Sequence, residues 1–306
     1  ADRPDFQTPE NTTKRLISPG AEKRLGVPIK VLDHGFIYLV DYSGGDESIE
    51  RAARVSYGSG TRKTSKTRGL IRYLYGNQHT SPFEMVELTF HAKMPIFVAR
   101  QWVRHRTANL NELSGRYSIL DSEFYIPSPE DVSLQSKYNK QGRGDALDAD
   151  AANRVRELLI ADSTLNYSHY EDMVENDGVA KELARIGLPV NLYTQWYWKC
   201  DLRNIFHFLS LRMDQHAQYE IRQYANAMAE IVKDTVPIAY ESFQDYTLDS
   251  VTFSGPETRI MRMMIDDKTK RFTADDVLLI ANNTEDLSER EKQAMVDKFV
   301  GLGLIK

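Results

Sequence analysis

Between Arg100 and Ser118 the chain reads RQWVRHRTANLNELSGRYS. Four arginines and one glutamate give this stretch a formal charge of +3 in a protein whose net charge is −5. Lysine, the usual solubilising cation, is absent from it. Arginine is preferred where a planar fork must grip phosphate or carboxylate through paired hydrogen bonds. His105, Asn109, Asn111, Glu112 and Ser114 add further donors and one carboxylate. Gly115, between Ser114 and Arg116, lets the backbone approach a ligand closely. Two readings follow: an anion or nucleotide site, or a solvated helix face carrying Arg100, Arg104 and Arg106, with Arg116 as a strand charge.

A second signal lies in IFHFLSLRM, where Ile205, Phe206, Phe208, Leu209, Leu211 and Met213 make a helix apolar nearly all round. Arg212 shares a stripe with Ile205 and Phe208, and a guanidinium there needs a strongly accepting partner. That partner is either a ligand or a salt-bridging carboxylate, with Glu112 and Asp214 as candidates. Arg185, near the end of VAKELARIG, either serves a ligand or complements the helix dipole. His79 in HTSPFE has no second ligand at metal spacing on a common helix, so a hydrogen-bonding or packing role is expected and no metal site. The single cysteine, Cys200, lacks a nucleophile signature and reads as a small core residue. With neither a Walker A sequence nor a GxGxxG turn, a nucleotide would have to be bound through side chains.

These residues need a scaffold, and 306 residues suffice for one large domain or two small ones. Residues 1–27 are polar, broken by Pro4, Pro9, Pro19 and Gly20, and read as an extended arm. VLDHGFIYLVDY (31–42) reads as a strand, followed by the helix ESIERAARVSY with Asp46 placed to cap it. SKTRGLIRYLYGNQ reads as a helix with Leu70, Tyr73 and Leu74 on one face and Gly76 near its end. VELTFHAK alternates as a half-buried strand, and Pro95 opens the helix PIFVARQWVRHR. Helices are expected over 151–175, in VAKELARIG, and as one or two long helices over 202–236, where Ile221, Tyr224, Met228 and Ile231 keep helical spacing. The pattern changes near Asp249, and the tail holds two helical candidates, begun by Thr273 and by Ser288 with Glu291. The mildly acidic balance argues against a dedicated partner of nucleic-acid polymers. No apolar run reaches the roughly 18–20 residues of a membrane helix, so a cytoplasmic protein with no membrane partner is expected.

RHRTANLNELSGRYS resembles the signature of the flavin-dependent thymidylate synthases, RHRxxSxNExSxRY. Arg104, His105, Arg106, Asn111, Glu112, Ser114, Arg116 and Tyr117 match it. Asn109 stands where serine is usual and keeps a hydrogen-bonding side chain. RAARVSY, HTSPFE, FHAKMPIFVARQWVRHR, EFYIPSP, ARIGLPVNLYT, LRNIFHFLSLR and HAQYEIRQYA resemble further blocks of that family in order, over about residues 28–246.

The resemblance implies an α+β fold: a central, mostly antiparallel sheet flanked by helices, with a long C-terminal helical half. It implies a homotetramer with sites shared between subunits. The arm would span 1–27, the catalytic domain 28–248, and an extension of unassigned role 249–306. The implied activity is reductive methylation of dUMP to dTMP, with FAD bound, 5,10-methylenetetrahydrofolate as carbon donor and NADPH as reductant. The implied dUMP contacts are Gln101, Trp102, Val103, Arg104, Glu112, Leu113, Ser114, Gly115, Arg116, Arg185 and Arg212. The implied FAD contacts are Ser56, Ser81, Arg104, His105, Arg106, Glu112, Asp201, Leu202, Arg203 and His207, with His79 in the flavin and folate region. Arg212 would be the catalytic group, stabilising the negative charge that develops as uracil N3 loses its proton. Ser114 would bind rather than attack. The other thymidylate synthases use a cysteine thiolate, so the lack of a plausible catalytic cysteine fits this family.

Overall fold

The computed structural model describes residues 15–55, 67–137, 142–266, 272–284 and 289–305, and the chain forms two units, 1–249 and 250–306. The first unit begins with helix α1 (Pro19–Arg24), strands β1 (Ile29–Val31) and β2 (Gly35–Ser43), and helices α2 (Asp46–Val55) and α3 (Thr67–Gly76). Strand β3 (Glu87–Pro95), helix α4 (Ile96–Trp102), and strands β4 (Asn109–Glu112), β5 (Ser133–Gln135) and β6 (Arg143–Ala146) follow. Helices α5 (Ala149–Glu175) and α6 (Lys181–Ala184) lead to strand β7 (Tyr193–Asp201), then helices α7 (Leu202–Arg212), α8 (Tyr219–Thr235) and α9 (Pro237–Phe243). The second unit holds α10 (Gly255–Asp266), α11 (Ala274–Thr284) and α12 (Glu289–Gly301) around Ile260, Val277, Ala281, Met295 and Phe299.

The fold is α+β, and its main sheet is antiparallel throughout, in the order β1-β2-β3-β7-β4. Leu88, Phe90, Ala92 and Met94 of β3 are buried while the residues between them are half-buried, as the alternation of VELTFHAK requires. Thr194, Trp196, Trp198 and Cys200 of β7 point to the same core. There they meet Ile205 and Phe208 of α7 and Tyr224 and Met228 of α8. Burial pushes the Cys200 thiol up to about 12, so it is the inert core residue expected. The opposite face carries half-buried Phe36, Tyr38 and His91 with exposed Tyr197. Tyr38 Oη lies 2.7 Å from His91 Nδ1, and His91 Nε2 lies 2.9 Å from Gln195 Oε1.

Several local expectations give way to tertiary structure. The strand expected over 31–42 is a hairpin, because Leu32 takes a positive φ of 58° and turns the chain between β1 and β2. Within the arm expected to be extended, Ser18 and Pro19 start α1: the Ser18 hydroxyl accepts from Ala21 N and donates to Thr235 O at 2.7 Å. Asp46 does not cap its own helix. Its carboxylate accepts the Ile238 and Ala239 backbone N–H groups, both at 2.9 Å, and so closes the N-terminus of α9. Ile71 and Leu74 form the buried face of α3, while Tyr73 lies outside against the His79 ring, and the left-handed residue beyond the helix is Gln78 (φ 60°), not Gly76.

The expected long helical stretch is two helices, α7 and α8, and Ile221, Tyr224, Met228 and Ile231 are all buried. In the tail Thr273 caps α11 with Asp276, α10 was not expected, and the Ser288 cap lies outside the described residues. Among the described residues no helix is long and apolar enough to cross a membrane.

Gly35 shows how tightly the sheet meets α8. A Cβ there would fall 2.0 Å from Tyr224 Oη, which donates to Lys93 O at 2.7 Å, and 2.5 Å from Val31 O. Gly35→Ala is therefore expected to destabilise the fold by about 3 kcal/mol, the upper range for overpacking. Thermal unfolding checks this; an unchanged melting temperature would mean the strand and helix can separate without loss.

Candidate active site

Helix α4 stops at Trp102, so the RHR triplet is not helical but forms the turn that carries the chain to edge strand β4. Of the four arginines, only Arg100 sits on a helix. Arg104 and Arg106 are exposed, and neither forms an ion pair among the described residues. Trp102 is fully buried, stacked on Phe208 at 4.9 Å between ring centroids and edge-on to Trp196 at 5.5 Å. It can offer a ligand only its backbone. Leu202 is likewise buried, and Val103 and Leu113 are exposed.

Arg212 is half-buried at the end of α7. Its Nε donates to His105 Nε2 at 3.0 Å and its Nη2 to Gln101 O at 3.4 Å. The salt bridge to Glu112 or Asp214 does not form. Glu112 accepts from Thr194 Oγ1 at 2.7 Å, and Asp214 holds His216. Burial, and then the neighbouring Arg104 guanidinium, pull the Arg212 pKa down from the ordinary arginine value. A desolvated cation beside a second cation, with no carboxylate partner among the described residues, is electrostatically prepared for an arriving anion.

His105 completes this couple. Burial first, then Arg212 and His207, hold its pKa down to about 4. The imidazole is therefore neutral at pH 7, with the proton on Nδ1, since Nε2 accepts from Arg212. The folded pKa lies below the ordinary histidine value near 6.5, so the unfolded chain binds more protons between about 6.5 and 4, and stability falls as pH drops through that window. His105→Asn is expected to flatten the slope of melting temperature against pH between those limits; an unchanged slope would assign the acid sensitivity to other groups.

The Ser114–Ser118 turn forms a second cluster. Its backbone closes through Tyr117 N to Ser114 O, and Ser114 Oγ accepts from Arg116 N at 3.3 Å. Gly115 is buried, and the space its missing side chain leaves is filled by Leu120 and the aliphatic stem of Arg185, 3.1 and 3.3 Å from a built Cβ. The fold thus brings Arg185, on the turn after α6, against the Ser114–Arg116 segment 70 residues earlier in the chain. Arg116 pairs with Glu182 at 3.1 Å, with both side chains more than half exposed. Such a pair is worth little in water, so the guanidinium exchanges readily to an incoming anion. Arg185 has no ion pair among the described residues.

Arg203 and His207 of α7 line a third place, a cavity of about 210 Å³ walled by Tyr75, Phe83 and Phe206 and edged by Gln78, Thr80 and Ser210. The ring centroids of His207 and His105 are 6.1 Å apart, which joins this cavity to the RHR turn. Asp201 accepts from Asn204 N and Nδ2 and caps α7, so it fixes the start of the helix that carries these groups. Ser81 and His79 are exposed beside Thr80, and Ser56 lies outside the described residues. Among the described residues no cluster of three or more His, Cys, Asp or Glu could hold a metal ion. Sequence reasoning missed the Arg212–His105 couple and the Glu182 and Thr194 partners, all of which pair residues more than 60 positions apart.

Comparison with known proteins places these features in a family. The model of the Thy1 family, thymidylate synthase complementing protein, matches residues 38–238. A flavin-dependent thymidylate synthase of Ruegeria pomeroyi is 56% identical over 256 residues, covering 83% of this chain and 85% of that protein. One from Rickettsia conorii is 46% identical over 301 residues, covering 94% of this chain and 99% of that protein, and so reaches into the second unit. Among solved structures, the UMP/dUMP methylase PolB of Streptomyces cacaoi bound with 5-Br dUMP is 32% identical, with a TM-score of 0.64, covering 72% of this chain and 98% of that chain. The family match spans strands β3, β4 and β7, the RHR turn, the Ser114–Arg116 segment and Arg212, and this chain belongs to the thymidylate synthase complementing protein family, the flavin-dependent thymidylate synthases.

Proposed function

We propose that the protein methylates dUMP to dTMP reductively, with FAD bound, 5,10-methylenetetrahydrofolate as carbon donor and NADPH as reductant. The observation that carries this reading is Arg212: a half-buried guanidinium aimed by neutral His105 and Gln101 O, without a carboxylate partner among the described residues. A uracil ring is activated toward a one-carbon unit when N3 loses its proton, and a fixed guanidinium stabilises that developing charge without reorganisation. Arg116, Arg185 and the Ser114–Arg116 backbone would hold the phosphate, and Gln101, Arg104 and Glu112 the remainder of the nucleotide.

The residues present fit a flavin. Arg203 offers a guanidinium fork for a diphosphate, His207, Ser210, Thr80 and Gln78 offer polar edges, and Tyr75, Phe83 and Phe206 offer apolar walls. His105 and Arg106 would extend this surface from the RHR turn. A bound flavin would supply the hydride that the reduction needs. The protein's own tasks are positioning, charge stabilisation and exclusion of water.

We further propose that the enzyme is a homotetramer. The aromatic sheet face of half-buried Phe36, Tyr38 and His91 with exposed Tyr197, and the exposed Arg104 and Arg106, which form no ion pair among the described residues, suit surfaces completed by a neighbouring subunit. Cytoplasmic location accords with this role. The absorption spectrum tests the reading: the purified protein should be yellow and should bleach on NADPH addition. A colourless protein that binds polynucleotide with a steep salt dependence would overturn it.

A further inference from the structure

Glu220 is a carboxylate that the chemistry above does not use, and it is almost fully buried, at 1% exposure. Its Oε1 accepts from Tyr125 Oη at 3.0 Å and from the Arg143 guanidinium. Its Oε2 accepts from Gln218 Nε2 at 2.8 Å, and Gln218 Oε1 in turn accepts from Gln101 Nε2. An ionised carboxylate can only accept hydrogen bonds, whereas a glutamine amide has a donor end and an acceptor end. Glu220 therefore fixes the direction of the relay. Gln218 must turn its NH₂ to Glu220 and its oxygen to Gln101, and Gln101 must turn its NH₂ to Gln218. Of the two ends of the Gln101 amide, the relay engages the NH₂ and leaves the carbonyl oxygen Oε1 as the unengaged end. The backbone carbonyl of the same residue receives Arg212 Nη2, so the relay and the Arg212 fork meet at one residue.

We propose that Glu220, acting through Gln218, is a positioning residue that sets the polarity of Gln101, so that this part of the nucleotide subsite takes a hydrogen-bond donor of dUMP, a hydroxyl or N–H. The inference rests on the proposed role of Gln101 in dUMP binding. A capping role for Glu220 at the start of α8 would stabilise the helix but would not extend to ligand affinity.

Calorimetric titration of dUMP into the flavin-loaded full-length protein tests it. Gln218→Met is an exposed substitution that leaves the core untouched. It is expected to weaken dUMP binding about fivefold, the size of one neutral hydrogen bond. The flavin spectrum and kcat should not change. Glu220→Gln, which frees the amides to flip, is expected to give the same loss, and the double variant no more than either single one, because both break one chain. Unchanged dUMP affinity in Gln218→Met, or losses that add in the double variant, would overturn the relay while leaving the dUMP reading intact. Wild-type protein that binds no dUMP would overturn both.

Discussion

Arg212→Ala is expected to lower dTMP formation by at least about a thousandfold while the protein keeps its flavin and its fold. The magnitude follows from what Arg212 lacks and what holds it. Among the described residues it has no carboxylate to neutralise it, and its neighbours are an accepting imidazole, a backbone carbonyl and the Arg104 cation. A structural arginine in a half-buried site would carry an ion pair, because leaving a desolvated charge unmatched costs several kcal/mol. The arrangement is tolerable in a site whose ligand develops negative charge. Arg212→Lys should not restore turnover, since an ammonium cannot reproduce a planar fork that reaches His105 Nε2 and Gln101 O together. Steady-state assays with flavin content measured alongside decide this. Near-normal turnover in Arg212→Ala would remove the residue from the chemistry.

Arg185→Ala is expected to weaken dUMP binding by about 2 to 5 kcal/mol, roughly 30-fold to several thousandfold, if its contacts to the phosphate are desolvated in the complex. The Arg185 stem packs on Gly115, so its guanidinium is delivered to the turn whose Ser114 and Arg116 groups are the other candidates for the phosphate. Arg116→Ala should also weaken binding, by a smaller amount, because its exposed pair with Glu182 must break before the guanidinium can serve a ligand. Direct titration with dUMP measures both. Equal affinity in wild type and Arg185→Ala would mean that the phosphate sits elsewhere.

The arginine stretch was legible in the sequence because its chemistry is local: guanidinium forks, a carboxylate and a glycine within 19 residues. Strand β3 was legible for a similar reason, its alternation being complete within eight residues. Strand β7 was not. Tyr197 places an aromatic ring on the outward face and blurs the alternation, and the pairing that defines the strand is with β3, about 100 residues earlier. Strand β4 has no buried face at all and exists only because β7 offers it an edge.

Asp46 sits where a local rule assigns a cap, yet the backbone of a helix 192 residues away takes it. The same distance problem hid the core of the site. Sequence spacing showed that Arg212 needed an acceptor, but not that the acceptor is the neutral ring of His105, 107 residues away, which only the fold can desolvate.

The most direct test is an anaerobic single turnover of protein reduced with NADPH and freed of excess reductant. On addition of dUMP and methylenetetrahydrofolate together, one dTMP should appear for each flavin reoxidised, and neither should change when either substrate is left out. Flavin reoxidised without dTMP, or dTMP formed while the flavin stays reduced, would contradict the account.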